Sequence, residues 1–197
     1  MKLKNIGVLG FQGDFVEHIE TTKKALNKLS FEGNIIMVKT KDKLQNLDGL
    51  IIPGGESTTL QTLCIKNGLW EDMKRIKYIY GTCAGAILLA KKVLHKTKNQ
   101  QTLELMDIEI DRNAYGGQIS SFEKKIKTKL GNFDAVFIRS PRITKTGKNI
   151  VIIAKERNEV LACEQRDKDK YYLVSCFHPE LTTTIFHEYF LKKIYSQ

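Results

Sequence analysis

Three residues of this chain have the types and settings that nucleophilic catalysis requires. Cys83 lies in Gly81-Thr82-Cys83-Ala84-Gly85, between the β-branched and aromatic run Tyr78-Ile79-Tyr80 and the helix-forming Ala86-Ile87-Leu88-Leu89-Ala90. A strand, a sharp turn and a helix in that order hold a side chain at an exposed apex, the geometry that carries serine in nucleophile elbows. Gly81 and Gly85 lack a Cβ, so the turn can be tight and the helix can pack close to neighbouring strands. A cysteine at a helix N-terminus meets the dipole and free N–H groups that favour a thiolate. The same residue also fits a buried structural thiol in a β-to-α turn, the usual fate of free cysteine. His178 and Glu180 follow the apolar run Tyr171-Tyr172-Leu173-Val174-Ser175. In extended backbone, residues i and i+2 point the same way, so the Glu180 carboxylate can orient the His178 imidazole. Together the three residues would supply a nucleophile, a base and an orienter. Taken alone, His178-Pro179-Glu180 is weak evidence, because a histidine after a strand is more often a surface or capping residue.

A second glycine-rich turn follows another apolar run, in Leu50-Ile51-Ile52-Pro53-Gly54-Gly55-Glu56-Ser57-Thr58-Thr59. Loops at the carboxyl ends of strands in open α/β sheets are where ligands bind. Gly54 and Gly55 let the backbone turn an N–H towards a substrate oxygen, as an oxyanion hole requires. The alternative is an ordinary strand-to-helix turn with Ser57 or Thr58 as N-cap.

The elements that must position these residues alternate along the first half of the chain. Strands are expected at 5–9, 34–38 and 49–52, with helices at 15–29, 58–67 and a shorter piece to 75. Asp14 is the expected cap of the first helix, whose apolar residues Val16, Ile19, Ala25, Leu26 and Leu29 lie near helical spacing. The elbow strand and its helix follow, and the rhythm changes after Leu94. Residues 95–102 are polar and loop-like. Segments 105–111, 119–129, 134–139, 150–155, 160–165 and 171–177 then read mostly as strands joined by hairpins, before a last helix at 183–195. The βαβ rhythm implies an α/β fold with parallel strands and right-handed crossovers. With no repeat, low-complexity tract or linker, residues 1–197 are expected to form a single domain.

Composition narrows the function classes. At 42% hydrophobic and 27% charged residues the chain reads as soluble and globular. No apolar run approaches the roughly 20 residues of a membrane helix, and Met1-Lys2-Leu3-Lys4-Asn5 passes straight into a strand without a signal-peptide core. Cys64, Cys83, Cys163 and Cys176 form no metal-binding spacing, so reduced thiols and a cytoplasmic location are expected. The net charge is +10, yet the lysines are scattered and no nucleic-acid motif accompanies them. A solvated surface is the expected reading, with neither nucleic acid nor membrane as partner.

With these motifs in hand, the chain resembles the class I (triad) glutamine amidotransferases. Gly81-Thr82-Cys83-Ala84-Gly85, Pro53 to Ser57 and Phe177-His178-Pro179-Glu180 carry that resemblance. More narrowly, it is similar to the glutaminase subunits of pyridoxal 5′-phosphate synthase complexes. The narrower match rests on Gly7 to Gly13 with Glu17-His18, Gly54 to Thr59, Arg112 to Gly116 with Gln118 and Ser121 to Glu123, Phe137 to Pro141, and Phe177 to Thr182. The resemblance implies a three-layer, flavodoxin-like fold with a mostly parallel central sheet and antiparallel hairpins in the C-terminal half.

It also implies roles. Cys83 would attack the side-chain amide of L-glutamine to give a γ-glutamyl thioester. His178 would activate the thiol and protonate departing ammonia, with Glu180 holding the imidazole. The N–H groups of Gly55 and Ala84 are the expected oxyanion hole. Gly54, Gly55, Glu56, Arg112, Ile138 and Arg139 match the family's glutamine-binding positions. An arginine fork suits an α-carboxylate, although most arginines in hairpins are only surface cations. No metal or cofactor is implied. The ammonia would pass through a channel to a (β/α)₈-barrel synthase subunit that makes pyridoxal 5′-phosphate, and Gln12 lies in a loop resembling the partner-contacting region. Activity is expected to be weak until that partner docks.

The chain departs from the family at Gly117, where an arginine is usual, which puts in doubt any ionic contact of that side chain. Other readings are a glutaminase serving another acceptor, such as imidazole glycerol phosphate synthase, a cysteine hydrolase of different specificity, or a non-catalytic binding subunit. No role is expected for Cys64, Cys163 or Cys176.

Overall fold

Short apolar runs closed by glycine become the strands of a mixed sheet in the computed structural model, which describes residues 3–114 and 121–196. Its first half contains β1 (Lys4–Leu9), α1 (Phe15–Leu29), β2 (Gly33–Val38), β3 (Gly49–Ile52), α2 (Ser57–Lys66), α3 (Trp70–Met73), β4 (Tyr78–Thr82) and α4 (Ala84–Leu89). The remainder contains β5 (Ala90–Leu94), β6 (Met106–Asp111), β7 (Ser121–Thr128), β8 (Gly131–Ile138), β9 (Arg142–Thr146), β10 (Ile150–Glu156), β11 (Glu159–Asp167), β12 (Lys170–Ser175) and α5 (Ile185–Tyr195). Tyr115, Gly116, Gly117 and Gln118, which bear on the expected match and its departure, lie outside the described residues.

The main sheet runs β2-β1-β3-β4-β12-β11-β10-β7-β8. From β2 to β12 every pairing is parallel, and from β12 to β8 every pairing is antiparallel. Parallel strands covered on both faces read as continuous apolar runs, and β3 and β4 are buried along their whole length. Ala25 and Leu26 of α1 pack with Phe186, Phe190, Leu191 and Ile194 of α5 on one face. Leu60, Cys64, Trp70, Met73 and Leu88 cover the other, giving three layers.

The last strand in the sequence decides where the chemistry falls. β12 inserts beside β4, with Val174 opposite Gly81 and Ser175 opposite Thr82. The Cys83 N–H then donates to the Ser175 carbonyl at 2.9 Å. This register brings the segment after β12, with His178, to the same sheet edge as the elbow. The carboxyl ends of β1, β3, β4 and β12 form that edge.

Two expectations about elements need correction. The elbow helix ends at Leu89, and Ala90–Leu94 is a strand paired with β6. The Leu88 and Leu89 carbonyls accept from Leu103 and Leu105 at 2.7 and 3.0 Å, so the crossing segment satisfies the helix end. β9 carries a single buried apolar residue, Ile143, and shows no strand alternation. Pairing to β6 and β11 supplies what its sequence lacks.

A Cβ added at Gly85 would lie 2.1 Å from the Ile52 carbonyl oxygen, backbone that cannot yield without moving β3. Gly85→Ala is therefore expected to cost about 1–3 kcal/mol of stability, in the range of core overpacking. Denaturant unfolding of the variant measures it, and an unchanged midpoint would contradict the close packing of α4 on β3.

Candidate active site

Cys83 is the residue on which the elbow turns. Its φ of 47° and ψ of −101° lie in a region that non-glycine residues avoid. The strain is held at both ends, by the bond to Ser175 and by the Ile87 N–H donating to the Cys83 carbonyl at 3.2 Å. The thiol points to the Ile138 carbonyl at 3.8 Å and lines a cavity of about 610 Å³. His178, Asp14, Gly55, Glu56, Arg112, Ile138 and Arg139 share that cavity.

His178 is buried, and its Nδ1 lies 2.8 Å from Glu180 Oε1. The other ring nitrogen, Nε2, is buried and has no hydrogen-bond partner at ordinary distance among the described residues. Burial pushes the imidazolium towards neutrality, but Asp14, the Cys83 side chain and Glu180 outweigh it and raise the pKa well above the usual value. The Glu180 side chain is wholly buried. Burial opposes its ionisation, but the His18 and His178 rings hold its carboxyl below the ordinary range.

Gly54 permits this approach. A Cβ there would fall 2.4 Å from His178 Cε1. Gly55 follows at a φ of 125°, which favours glycine, and lines the cavity. Ala84 is buried as the first residue of α4.

The cap of α2 is neither Ser57 nor Thr58. Glu56 occupies that position and accepts from the Thr58 and Thr59 N–H groups at 3.1 and 2.6 Å, and from both threonine hydroxyls. Burial raises the Glu56 carboxyl, but these four donors lower it to about 2. Arg112 adds a bond from Nη2 at 3.1 Å, and its Nη1 donates to Gln100 Oε1 at 2.5 Å. The arginine is thus fixed at the cavity wall by two partners. Ile138 and Arg139, both exposed, also line the cavity, Arg139 with a φ of 46°.

Sequence reasoning missed the role of Asp14. It stands at the N-cap position of α1 but makes no capping bond, because Asp14 Oδ2 lies 2.8 Å from His178 Nδ1. Its place at the carboxyl end of β1 was the available signal. Gln12, read as interface, donates to the Glu56 carbonyl at 2.6 Å and ties the first loop to the Gly54-Gly55 turn. Gln100 was missed because residues 95–102 carry no pattern.

Among the described residues, the one cluster of metal-ligand atoms is Asp14, His178 and Glu180, all within 4.8 Å. Both carboxylates converge on Nδ1, an arrangement that a shared N–H satisfies without an ion. No helix of the described residues is long and apolar enough to cross a membrane.

The fold is that of a glutamine amidotransferase. A solved glutamine amidotransferase superposes with a TM-score of 0.81 at 37% identity, covering 96% of this chain and 98% of that one. The model of the SNO glutamine amidotransferase family matches residues 8–196, and the chain belongs to that family. It is 45% identical to the pyridoxal 5′-phosphate synthase subunit PdxT of Pyrococcus furiosus, across 96% of this chain and 98% of the relative. The protein of that name from Oenococcus oeni is 42% identical, across 95% of each.

The four thiols should differ in reactivity. Burial raises Cys64 and Cys163 to about 12 and Cys176 higher still, while Cys83 lines the cavity. Brief treatment with iodoacetamide should alkylate Cys83 first and the others only on unfolding, as peptide mass spectrometry would read. Equal labelling of Cys163 in folded protein would refute this.

His187, wholly buried, is lowered from 6.5 to about 3 by burial and by the neighbouring His18, against the opposing Glu180 charge. A depressed pKa means the unfolded chain takes up the proton first. Its contribution is whole above pH 6.5 and is lost as pH falls towards about 3. His187→Phe should flatten the decline in melting temperature over that window. An unchanged slope would show that His187 is not the group responsible.

Proposed function

We propose that the whole chain, residues 1–197, acts as one glutaminase domain that hydrolyses L-glutamine to L-glutamate and ammonia through Cys83, His178 and Glu180. The observation that carries the reading is the convergence of Cys83 and His178, from two distant segments, on one cavity walled by Arg112, with Glu180 buried behind the imidazole and bonded to its Nδ1. His178 takes the Cys83 proton through Nε2, the ring nitrogen not engaged by carboxylates. The sulfur attacks the amide carbon, and the oxyanion is met by the Gly55 and Ala84 N–H groups. Collapse breaks the C–N bond, and the imidazolium protonates the leaving nitrogen, releasing ammonia and leaving a γ-glutamyl thioester. Water then attacks that thioester and gives its proton to His178. Glutamate departs and the proton returns to sulfur.

Arg112 and Arg139 suit the substrate carboxylate, and the remaining cavity residues Gly54, Glu56 and Ile138 shape its seat. The full-length likeness to subunits named for pyridoxal 5′-phosphate synthase supports that pathway as the destination of the ammonia. A (β/α)₈-barrel synthase subunit is the partner we infer, in the cytoplasm. The Gln12 loop, joined by hydrogen bonding to the oxyanion turn, supports a dependence of activity on docking.

Glutamate release should be weak for the chain alone and rise sharply with the synthase subunit. Cys83→Ala should lower the stimulated rate at least about a thousandfold. Stimulation absent for that partner, with glutaminase retained, would keep the chemistry and discard the pathway. Activity surviving Cys83→Ala would discard the triad. Cys64→Ala and Cys176→Ala should leave hydrolysis largely intact.

A further inference from the structure

Behind Glu180 lies a run of buried imidazoles that the reaction above does not use. His18, on the second turn of α1, and His187, on α5, are both wholly buried. His187 Nε2 is 2.9 Å from His18 Nδ1. His18 Nε2 is 2.9 Å from Thr82 Oγ1 and 3.3 Å from Glu180 Oε1. His18 therefore touches both the residue before the nucleophile and the carboxylate that orients the base.

The direction of the chain follows from what is left unpaired. His187 Nδ1 is buried with no partner among the described residues. An orphaned acceptor is tolerated better than an orphaned N–H, so the His187 proton belongs on Nε2. It then donates to His18 Nδ1, which must be bare. The His18 proton consequently sits on Nε2, aimed at Thr82 and Glu180. We propose that His18 is a positioning residue of the triad: its Nε2–H clamps the Glu180 carboxylate to the elbow strand through Thr82, with His187 fixing the tautomer.

The clamp matters because Glu180 has few other supports. Its Oε2 has no partner among the described residues, and its side chain is wholly buried. The titratable groups facing it are His18 from α1, Tyr80 from β4, His187 from α5 and His178 on its own segment, with Asp14 across the His178 ring. Of these, His178 bonds Oε1 at 2.8 Å, and the single His18 Nε2–H faces both Thr82 Oγ1 at 2.9 Å and Oε1 at 3.3 Å. Without the His18 donor the carboxyl would protonate more readily, and a neutral Glu180 holds the imidazole less firmly. The inference rests on the Cys83-His178-Glu180 reading.

The test compares His18→Leu, which removes the donor at similar bulk, with His18→Gln, which keeps an N–H near the Nε2 position. Both are assayed in the complex with the synthase subunit, beside Cys83→Ala. His18→Leu should lower kcat at least about tenfold, the effect of one donor lost from a charged group, with KM little changed. It should also move the acid limb of the kcat/KM profile to higher pH, because the orphaned carboxyl protonates earlier. His18→Gln should restore much of kcat and return the limb. A folded His18→Leu protein with wild-type kcat and an unmoved limb overturns the proposal, as does equal loss in both variants. Should the leucine variant fail to fold, ¹⁵N shifts of the imidazoles in the intact protein decide. A proton on His18 Nε2 supports the clamp, and a bare Nε2 overturns it. If Cys83→Ala keeps activity, the triad reading fails instead.

Discussion

The hydrogen bond between His178 Nδ1 and Glu180 Oε1 is the constraint on which the site depends. A carboxylate removed from water is costly unless charge and hydrogen bonds compensate it. The compensation here comes from elements far apart in sequence. His178 lies on the same segment and His18 on α1, whose Thr21 hydroxyl also holds that segment by donating to the Glu180 main-chain carbonyl at 3.0 Å. Holding Glu180 ionised therefore requires α1 to pack against the segment after β12. That packing also carries the first loop, with Asp14, to the cavity.

Asp14 and Glu180 both lie 2.8 Å from Nδ1, which has one hydrogen to donate. The two acceptors are not equivalent. The Glu180 side chain is sealed, whereas that of Asp14 is 32% exposed and can turn to water. Losing the N–H costs Glu180 far more than Asp14, so Glu180 is the fixed orienter and Asp14 the adjustable neighbour. Gln12, two residues before Asp14, bonds the Glu56 carbonyl, so a shift of this loop bears on the base and on the Gly54-Gly55 turn together.

Much of this arrangement was legible in the sequence because it rests on local rules. The parallel strands announced themselves as apolar runs, α1 by its periodicity, and Cys83, His178 and Glu180 by turns at strand ends. What escaped depends on contacts between distant segments. Asp14 looked like a helix cap because residue type and position both allow it, and only the packing of α1 against the β12 loop redirects its carboxylate. Glu56 displaced Ser57 and Thr58 as cap of α2, since its longer side chain reaches back to two N–H groups and two hydroxyls. Ala90–Leu94 left the helix because residues 103–105 take up the carbonyls at its end. His18 was visible as part of a family motif, but nothing in its spacing disclosed a ring facing Thr82 and Glu180.

The elbow shows which term governs the local backbone. The conformation of Cys83 costs on the order of 1–3 kcal/mol, and a helix of six residues cannot recover that from its own hydrogen bonds, since so short a helix is unstable alone. Ile87, Leu88 and Leu89 are all buried, in the same core cluster as Leu60 of α2, Met73 of α3 and Ile79 of β4. At about 1.5–3 kcal/mol for each fully buried aliphatic side chain, their burial exceeds the strain. Packing of α4, not turn propensity, thus keeps the thiol at the apex. Gly85 is the condition for that packing, because α4 lies against the Ile52 carbonyl at a distance only a bare Cα allows. The nucleophile is consequently held from the core side, by Leu88, Leu89 and the bare Cα of Gly85 as much as by the residues of the cavity.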